Sequence, residues 1–358
     1  MLDATNFIVP GVNDHPKLAC SFVRWRPLQG ASHSASPTSE GPQGSLRLSL
    51  VFLHCNGTHK ETWLPTVEHM FDALHASPDP KFTVIEAWAA DSPHHGHAAR
   101  LNDRVLLELP DGLDMDQWNA PIKTLFHSGL IAGDRVVGIG HSAGTVSLIT
   151  ITLGYALDRL PFSSMILIEP PMMTPEVLRH AQEKRLPMLR AVELAKTRKD
   201  VWSSREEARE WFGRQFPWRR WDKRVFDFFV DHALHDLPTA TYPNHQEGVT
   251  LACTRAQDSA AYTKFGAAFT ALDRLTELCA SLPVHCIFGD TLDMVPAGVH
   301  DCVVDEKAGR RMKSVRTVSG AGHLAVQDNP RDVAFAIQDI LIEDYGSEVA
   351  VAATACKL

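Results

Sequence analysis

The stretch that most constrains this chain runs from Arg135 to Leu157. An apolar, β-branched run, Val136-Val-Gly-Ile-Gly140, leads into Gly140-His141-Ser142-Ala143-Gly144 and on into Thr145-Val-Ser-Leu-Ile-Thr-Ile151. Val136 to Leu157 holds no Asp, Glu, Lys or Arg, and its length alone would suit a membrane span. Its glycines, serines and β-branched residues instead predict a buried parallel strand, a tight turn and a buried helix. A turn that sharp tolerates only small neighbours, because a larger side chain beside the serine would clash. Ser142 is therefore a candidate nucleophile. The plainer alternative is a glycine-rich turn whose serine only caps the helix.

The rest of the chain fits that strand into a sheet. Apolar runs bounded by turn residues occur at Leu48 to His54, Phe82 to Trp88, Arg135 to His141, Met165 to Glu169, Val284 to Phe288 and Ser314 to Val318. Helix-compatible stretches separate most of them, which predicts a mostly parallel, doubly wound α/β sheet covered on both faces. Leu18 to Arg26 is expected to add an antiparallel edge, joined through a Ser/Gly/Pro-rich loop from Gln29 to Gly44. Between about Met173 and Leu282 the alternation stops and the pattern turns helical. There Ser204-Arg-Glu-Glu207 has the spacing of a capping box, opening a helix that carries Trp211 and Phe212. The expected organisation is core over 1–172 and 283–345, a helical lid inserted over 173–282, and a loose tail over 346–358.

Composition narrows the partners. With 44% hydrophobic and 22% charged residues among 358, the chain can bury a sheet on both faces. The net charge of −8 argues against a nucleic-acid partner. That charge is uneven: Met173 to Arg224 carries 14 basic and 8 acidic residues, a basic section on an acidic body. Seven cysteines with no C-x-x-C pair fit a reducing compartment. The start, MLDATNFIVPG, lacks the basic and apolar regions of a secretory signal, so secretion is not expected.

A nucleophilic serine needs a base, an orienting acid and an oxyanion site. Gly320-Ala-Gly-His323 follows the last strand, which makes His323 the candidate base. Two acids stand at strand ends where they could orient it: Glu169, after the strand beside that of Ser142, and Asp293, in the loop Gly289-Asp-Thr-Leu-Asp-Met-Val-Pro296. Either could instead cap a following helix. For the oxyanion site, Ala143 offers the amide after the nucleophile. The second amide should come from the turn His54-Cys-Asn-Gly-Thr58, through Asn56, Gly57 or Thr58.

His94, His95 and His97 suggest a metal, but no cysteine or carboxylate cluster accompanies them in sequence. His95 is expected to form a pocket wall, with no metal site. Trp218-Arg-Arg-Trp-Asp-Lys-Arg224 interleaves aromatics and bases. It fits a solvated helix face anchored by tryptophan, or, through Trp218, Arg219, Arg220 and Trp221, a contact for the phosphates of an anionic substrate such as coenzyme A.

Several motifs together resemble a group of fungal α/β hydrolases that includes the peroxisomal mycophenolic acid acyl-coenzyme A hydrolase, host-selective toxin biosynthesis hydrolases and a yeast peroxisomal lipase. They are His54-Cys-Asn-Gly-Thr-His-Lys-Glu-Thr-Trp63 with Pro65, His95-Gly96 with Leu101-Asn102, Gly140 to Gly144, Met165 to Pro171, Trp202-Ser-Ser-Arg-Glu-Glu-Ala208, Gly248-Val-Thr-Leu251 and Gly322-His323. The resemblance implies an α/β-hydrolase fold and hydrolysis of an acyl thioester (acyl-CoA) or ester, with a carboxylesterase or lipase on neutral esters as the alternative. It favours Glu169 over Asp293 as the acid, although the group's pattern has Asp at that position. The ending Cys356-Lys357-Leu358 resembles the peroxisomal signal Ser-Lys-Leu, which implies an import receptor as partner and the peroxisome as location, with the cytoplasm as the alternative. Two-step acyl transfer needs no cofactor. A ligand-binding protein that kept the hydrolase fold is the competing class, and a fluorophosphonate probe separates the two by whether it labels Ser142.

Overall fold

The computed structural model describes residues 1–9, 18–28, 44–184, 187–295 and 297–346. The loop expected over 29–44 falls almost wholly outside them, as does the ending Cys356-Lys357-Leu358. The main sheet contains β1 (Leu2–Val9), β2 (Cys20–Pro27), β3 (Leu46–Leu53), β4 (Phe82–Ala90), β5 (Arg135–His141) and β6 (Ser164–Ile168). After three short strands, β7 (Val201–Trp202), β8 (Leu234–Asp236) and β9 (Val249–Leu251), it is completed by β10 (Val284–Gly289) and β11 (Ser314–Val318). The strand order is β1-β2-β4-β3-β5-β6-β10-β11, parallel from β4 to β11. β2 pairs antiparallel with β4, as the sequence suggests, but it is not the edge: β1 pairs along its whole length outside it.

Side-chain alternation along the strands divides the core in two. Met165 and Leu167 of β6 and Cys286 and Phe288 of β10 join Leu148 and Ile149 of the helix Ala143–Ile151 on one face. Ile166, Ile168 and Ile287 point the other way, into residues of the helices Leu64–Ala76 and Pro330–Tyr345. Both faces are covered, so β6 is buried at every position and reads as an apolar run from Met165 to Ile168. The charge-free stretch is thus the central strand and the helix beneath it. No helix among the described residues is long and apolar enough to cross a membrane.

The inserted segment is less helical than its composition suggests, since β7, β9 and β8 form a small antiparallel sheet within it. Around this sheet Trp202, Phe212, Trp221 and Phe229 make a separate aromatic core. Ser204 accepts from the Glu207 amide at 3.1 Å, opening the helix Arg205–Gly213 as expected. Glu207 reaches one residue further back than a capping box requires, to the amide and hydroxyl of Ser203, both at 2.7 Å, with Lys199 on its other oxygen. The last helix of the segment, Gly266–Cys279, packs Leu272, Leu275 and Leu278 into the core cluster beside Ala143–Ile151.

Candidate active site

Ser142 sits where β5 turns into the helix Ala143–Ile151, with φ 50° and ψ −119°, a strained conformation for a residue with a side chain. The flanking glycines are required by close approach: a Cβ on Gly140 would lie 2.7 Å from the Gly144 carbonyl oxygen, and one on Gly144 would lie 2.2 Å from that of Leu53. The Ser142 amide donates to the Ile168 carbonyl at 2.9 Å, which ties the turn to β6. Its hydroxyl is then 2.8 Å from Nε2 of His323.

Of the two candidate acids, Glu169 reaches the imidazole. It follows β6 with φ 49°, and its Oε2 accepts from Nδ1 of His323 at 3.2 Å. The same oxygen accepts from Nε2 of His300 at 3.1 Å, while Oε1 accepts from the Gly289 amide at 2.7 Å. Burial pushes the Glu169 carboxyl up, but hydrogen bonds from His300 and His323 outweigh it and hold the group well below the usual carboxylate range. His300 carried no motif. It comes from the helix Ala297–Val303, its ring 4.2 Å from that of Phe288, and sequence offered no sign that it would meet Glu169.

Asp293 has a different position. Its Oδ1 accepts from the backbone amide of His323 at 3.0 Å, and its carboxylate fills the space beside Gly322, where a Cβ would lie 2.2 Å from Oδ2. On the far side of that residue, His141 donates Nε2–H to the His323 carbonyl at 2.8 Å. Burial keeps His141 neutral, its pKa lowered to about 3. His323 is therefore held through both ends of its main chain.

The turn after β3 is fixed by histidines as well. His54 donates from Nδ1 to the Cys55 carbonyl at 2.7 Å and accepts the Ser92 amide on Nε2 at 3.0 Å. Burial lowers its pKa to about 4, in keeping with a neutral ring. His95 accepts the Gly57 amide on Nε2 at 2.8 Å. That amide is thus engaged, and the Thr58 hydroxyl donates to the Cys55 carbonyl at 3.0 Å. The backbone amides of Asn56 and Thr58 both meet no acceptor among the described residues, but of the two only Asn56 lines the cavity that holds Ser142, Ala143 and His323. The Ala143 amide, first in its helix, has no acceptor within that helix.

Beneath this turn the stretch His59-Lys-Glu61 is packed for support. Lys60 is buried, with Nζ 3.0 Å from Asp91 and 2.8 Å from Glu61, and its amide donates to Asp91 at 2.9 Å. Asp91 also accepts the His97 amide at 3.0 Å and occupies the space where a Cβ on Gly96 would fall. The most distinctive motif of the sequence therefore locks the β3 turn to the loop after β4.

Two cavities meet here. One, of about 380 Å³, contains Ser142, Ala143, Trp118 and His323. The other, of about 330 Å³, lies among Trp211, Trp218, Trp221 and Phe229, with Arg198 and His95 on its wall. Asn56, Tyr262 and Met294 line both. Trp218 and Trp221 line a cavity, but the two arginines between them are absent from its wall and differ from each other. Arg220 is paired with Asp328 at 3.0 Å and Asp293 at 3.6 Å, so it braces the His323 loop. Burial raises the pKa of Asp328 to about 6, against the pull of Arg220. Arg219 is exposed and forms no ion pair among the described residues. Two of the three histidines gain a partner that sequence could not place: Cys253 lies beside His94 and His95, their ligand atoms within 4.8 Å of one another, while His97 meets the Ser21 hydroxyl instead.

Comparisons with known proteins agree with this architecture. A type I acyl-CoA thioesterase, mpaH, of Penicillium brevicompactum is 28% identical over 246 residues, 67% of this chain and 52% of that protein. The chain spans about half the length of the curated relatives it matches. Among solved structures, the peroxisomal alpha-beta-hydrolase Lpx1 of Saccharomyces cerevisiae superposes with a TM-score of 0.68 at 15% identity, covering 96% of this chain and 89% of that one. The thioesterase domain from the curacin biosynthetic pathway gives 0.60 at 13% identity, covering 96% and 99%. Residues 50–336 match the alpha/beta hydrolase family, and with its sheet order and its strand-turn-helix serine the chain belongs to that family.

Proposed function

We propose that this chain is a serine hydrolase that cleaves an acyl thioester, or an ester, through an acyl-enzyme. The observation that carries the reading is the continuous relay from the Ser142 hydroxyl through His323 to Glu169, opening on a cavity of about 380 Å³. In this mechanism Ser142 Oγ attacks the carbonyl carbon while Nε2 of His323 takes its proton. The Ala143 and Asn56 amides hold the oxyanion. The C–S or C–O bond then breaks, His323 returns the proton to the leaving group, and a water activated by His323 releases the acid. Glu169 keeps the imidazole in the right tautomer and balances its charge; Asp293 acts on the loop.

Acyl-coenzyme A leads as substrate because the matched relative is a thioesterase and because Arg219, exposed and without an ion pair among the described residues, directly follows Trp218, which lines the aromatic cavity. The predominantly apolar lining of the cavity around Ser142 favours neutral esters as the second reading. Residues 173–282 would act as a lid over both cavities, between core parts at 1–172 and 283–345. Cys356-Lys357-Leu358, in the tail 346–358, would direct the chain to the peroxisome.

The test is release of free thiol from a panel of acyl-coenzyme A esters beside matched p-nitrophenyl esters. Ser142→Ala should lose about 10⁴-fold or more in kcat with binding retained. Thioester preference that disappears in this variant supports the proposal. Preference for neutral esters moves the substrate class to carboxylesters, and substantial turnover by Ser142→Ala rejects the mechanism.

A further inference from the structure

The group His94, His95 and Cys253 is unlike its surroundings. All three are buried, and nothing in the acyl-transfer mechanism uses His94 or Cys253. The His94 ring makes no hydrogen bond among the described residues, and its Nδ1 is fully buried without a partner. A nitrogen so placed has lost its water and gained nothing for it, a state that native interiors rarely leave unexplained. Its neighbours include a second imidazole, tilted at 57° with ring centroids 4.2 Å apart, and the thiol of Cys253.

We propose that His94, His95 and Cys253 form a binding site for a soft divalent cation, Zn²⁺, on the wall of the aromatic cavity, and that its occupancy inhibits turnover. Two imidazoles and a thiol with no carboxylate suit zinc and disfavour Mg²⁺ or Ca²⁺. His95 and Cys253 both line the cavity, which supplies an entry path and a fourth position for water. Tetrahedral zinc spaces such ligand atoms roughly 3.3–3.8 Å apart, so the group must close by about 1 Å. The ring of His94, free of hydrogen bonds, can supply that movement. Binding replaces the S–H bond of Cys253 with an S–Zn bond and releases one proton to solvent.

The inhibition follows from His95, whose Nε2 accepts the Gly57 amide and whose Nδ1 lies 2.7 Å from the Ser92 hydroxyl. A metal can take a nitrogen of His95 only by displacing one of these partners. Either loss loosens the turn that presents the Asn56 amide. This consequence rests on the proposed oxyanion role of Asn56, whereas the binding itself does not.

The test is calorimetric titration of the full chain with Zn²⁺ in two buffers of different protonation enthalpy, with Co²⁺ substitution read by its thiolate charge-transfer band. One ion per chain, about one proton released and a Co²⁺–thiolate band are expected, with affinity at least tenfold weaker in both Cys253→Ser and His94→Gln. Undiminished binding in these variants, with their folds verified by circular dichroism, would overturn the site and assign the metal to other histidines and cysteines. So would an absence of binding by the wild-type chain. Zn²⁺ should also inhibit wild-type ester turnover and spare Cys253→Ser. Binding without inhibition would overturn the coupling to the Gly57 turn, and because binding is read without substrate, failure of the hydrolase reading would leave this result intact.

Discussion

At the scale of single residues, the site is organised around one carboxylate oxygen that serves two histidines. His300 and His323 both donate to Oε2 of Glu169. In the proposed mechanism His300 would touch no reacting atom and would position Glu169 and help keep it ionised. A carboxyl whose folded pKa is depressed stabilises the fold above its unfolded value, and that stability is lost as pH falls through the folded value. Removing the His300 hydrogen bond lets burial push Glu169 back up. His300→Ala is therefore expected to move the acidic limb of the kcat/KM profile to higher pH. His300→Gln, which keeps a donor, should restore it; a loss of activity with no shift in the profile would make His300 merely structural. The sequence alone brought Ser142 and His323 forward because their motifs follow strands. Strand-end position by itself left Glu169 and Asp293 open, since the choice depends on which side chain reaches the ring, and only the family resemblance favoured Glu169. Sequence could not bring Cys253 to His94 either, because that contact exists only after the chain has folded.

At the scale of elements, legibility followed burial. The inner parallel strands β5, β6 and β10 are buried over most of their length and appear as largely apolar runs, whereas β11, at the far edge, alternates half-buried and exposed residues up to Val318. β1, Leu2-Asp-Ala-Thr-Asn-Phe-Ile-Val9, alternates exposed and half-buried residues at the sheet's edge and gave no such signal. β7, β8 and β9 are two or three residues long, below what periodicity can register. Between elements, the turn carrying Trp218 to Arg220 is joined to the His323 loop through Arg220, and the Asp222 amide donates to the Gln327 carbonyl at 2.8 Å. The adjacent arginines thus lead to different expectations. Arg220→Ala leaves Asp293 and Asp328 facing each other without a cation and should lower kcat alike for coenzyme A and neutral esters. Arg219→Ala should raise KM for the coenzyme A ester alone. Equal effects of Arg219→Ala on both substrates would remove it as a phosphate contact.

Taken whole, the molecule is an acidic body with one basic section. The net charge is −8, yet Met173 to Arg224 holds 14 basic residues against 8 acidic ones. A highly charged thioester would be repelled by most of the surface and drawn to that section, and such attraction weakens within about 10 Å at 0.1 M salt. Raising ionic strength should accordingly increase KM for a coenzyme A ester several-fold while leaving that of a neutral ester nearly unchanged. A salt response common to both would mean that the basic section plays no part in capture.

His323 is tied at its amide by Asp293 and at its carbonyl by His141, with Arg220 braced behind. Its backbone is pinned at both ends like an axle between two bearings, and the imidazole is left chiefly the freedom to pivot. In the proposed mechanism the proton that leaves Ser142 passes to one ring already seated between Ser142 and Glu169, and both the departing group and the incoming water would come to that ring. With the histidine fixed in place, substrate, leaving group and water would do the travelling, through the cavities that meet at Asn56, Tyr262 and Met294.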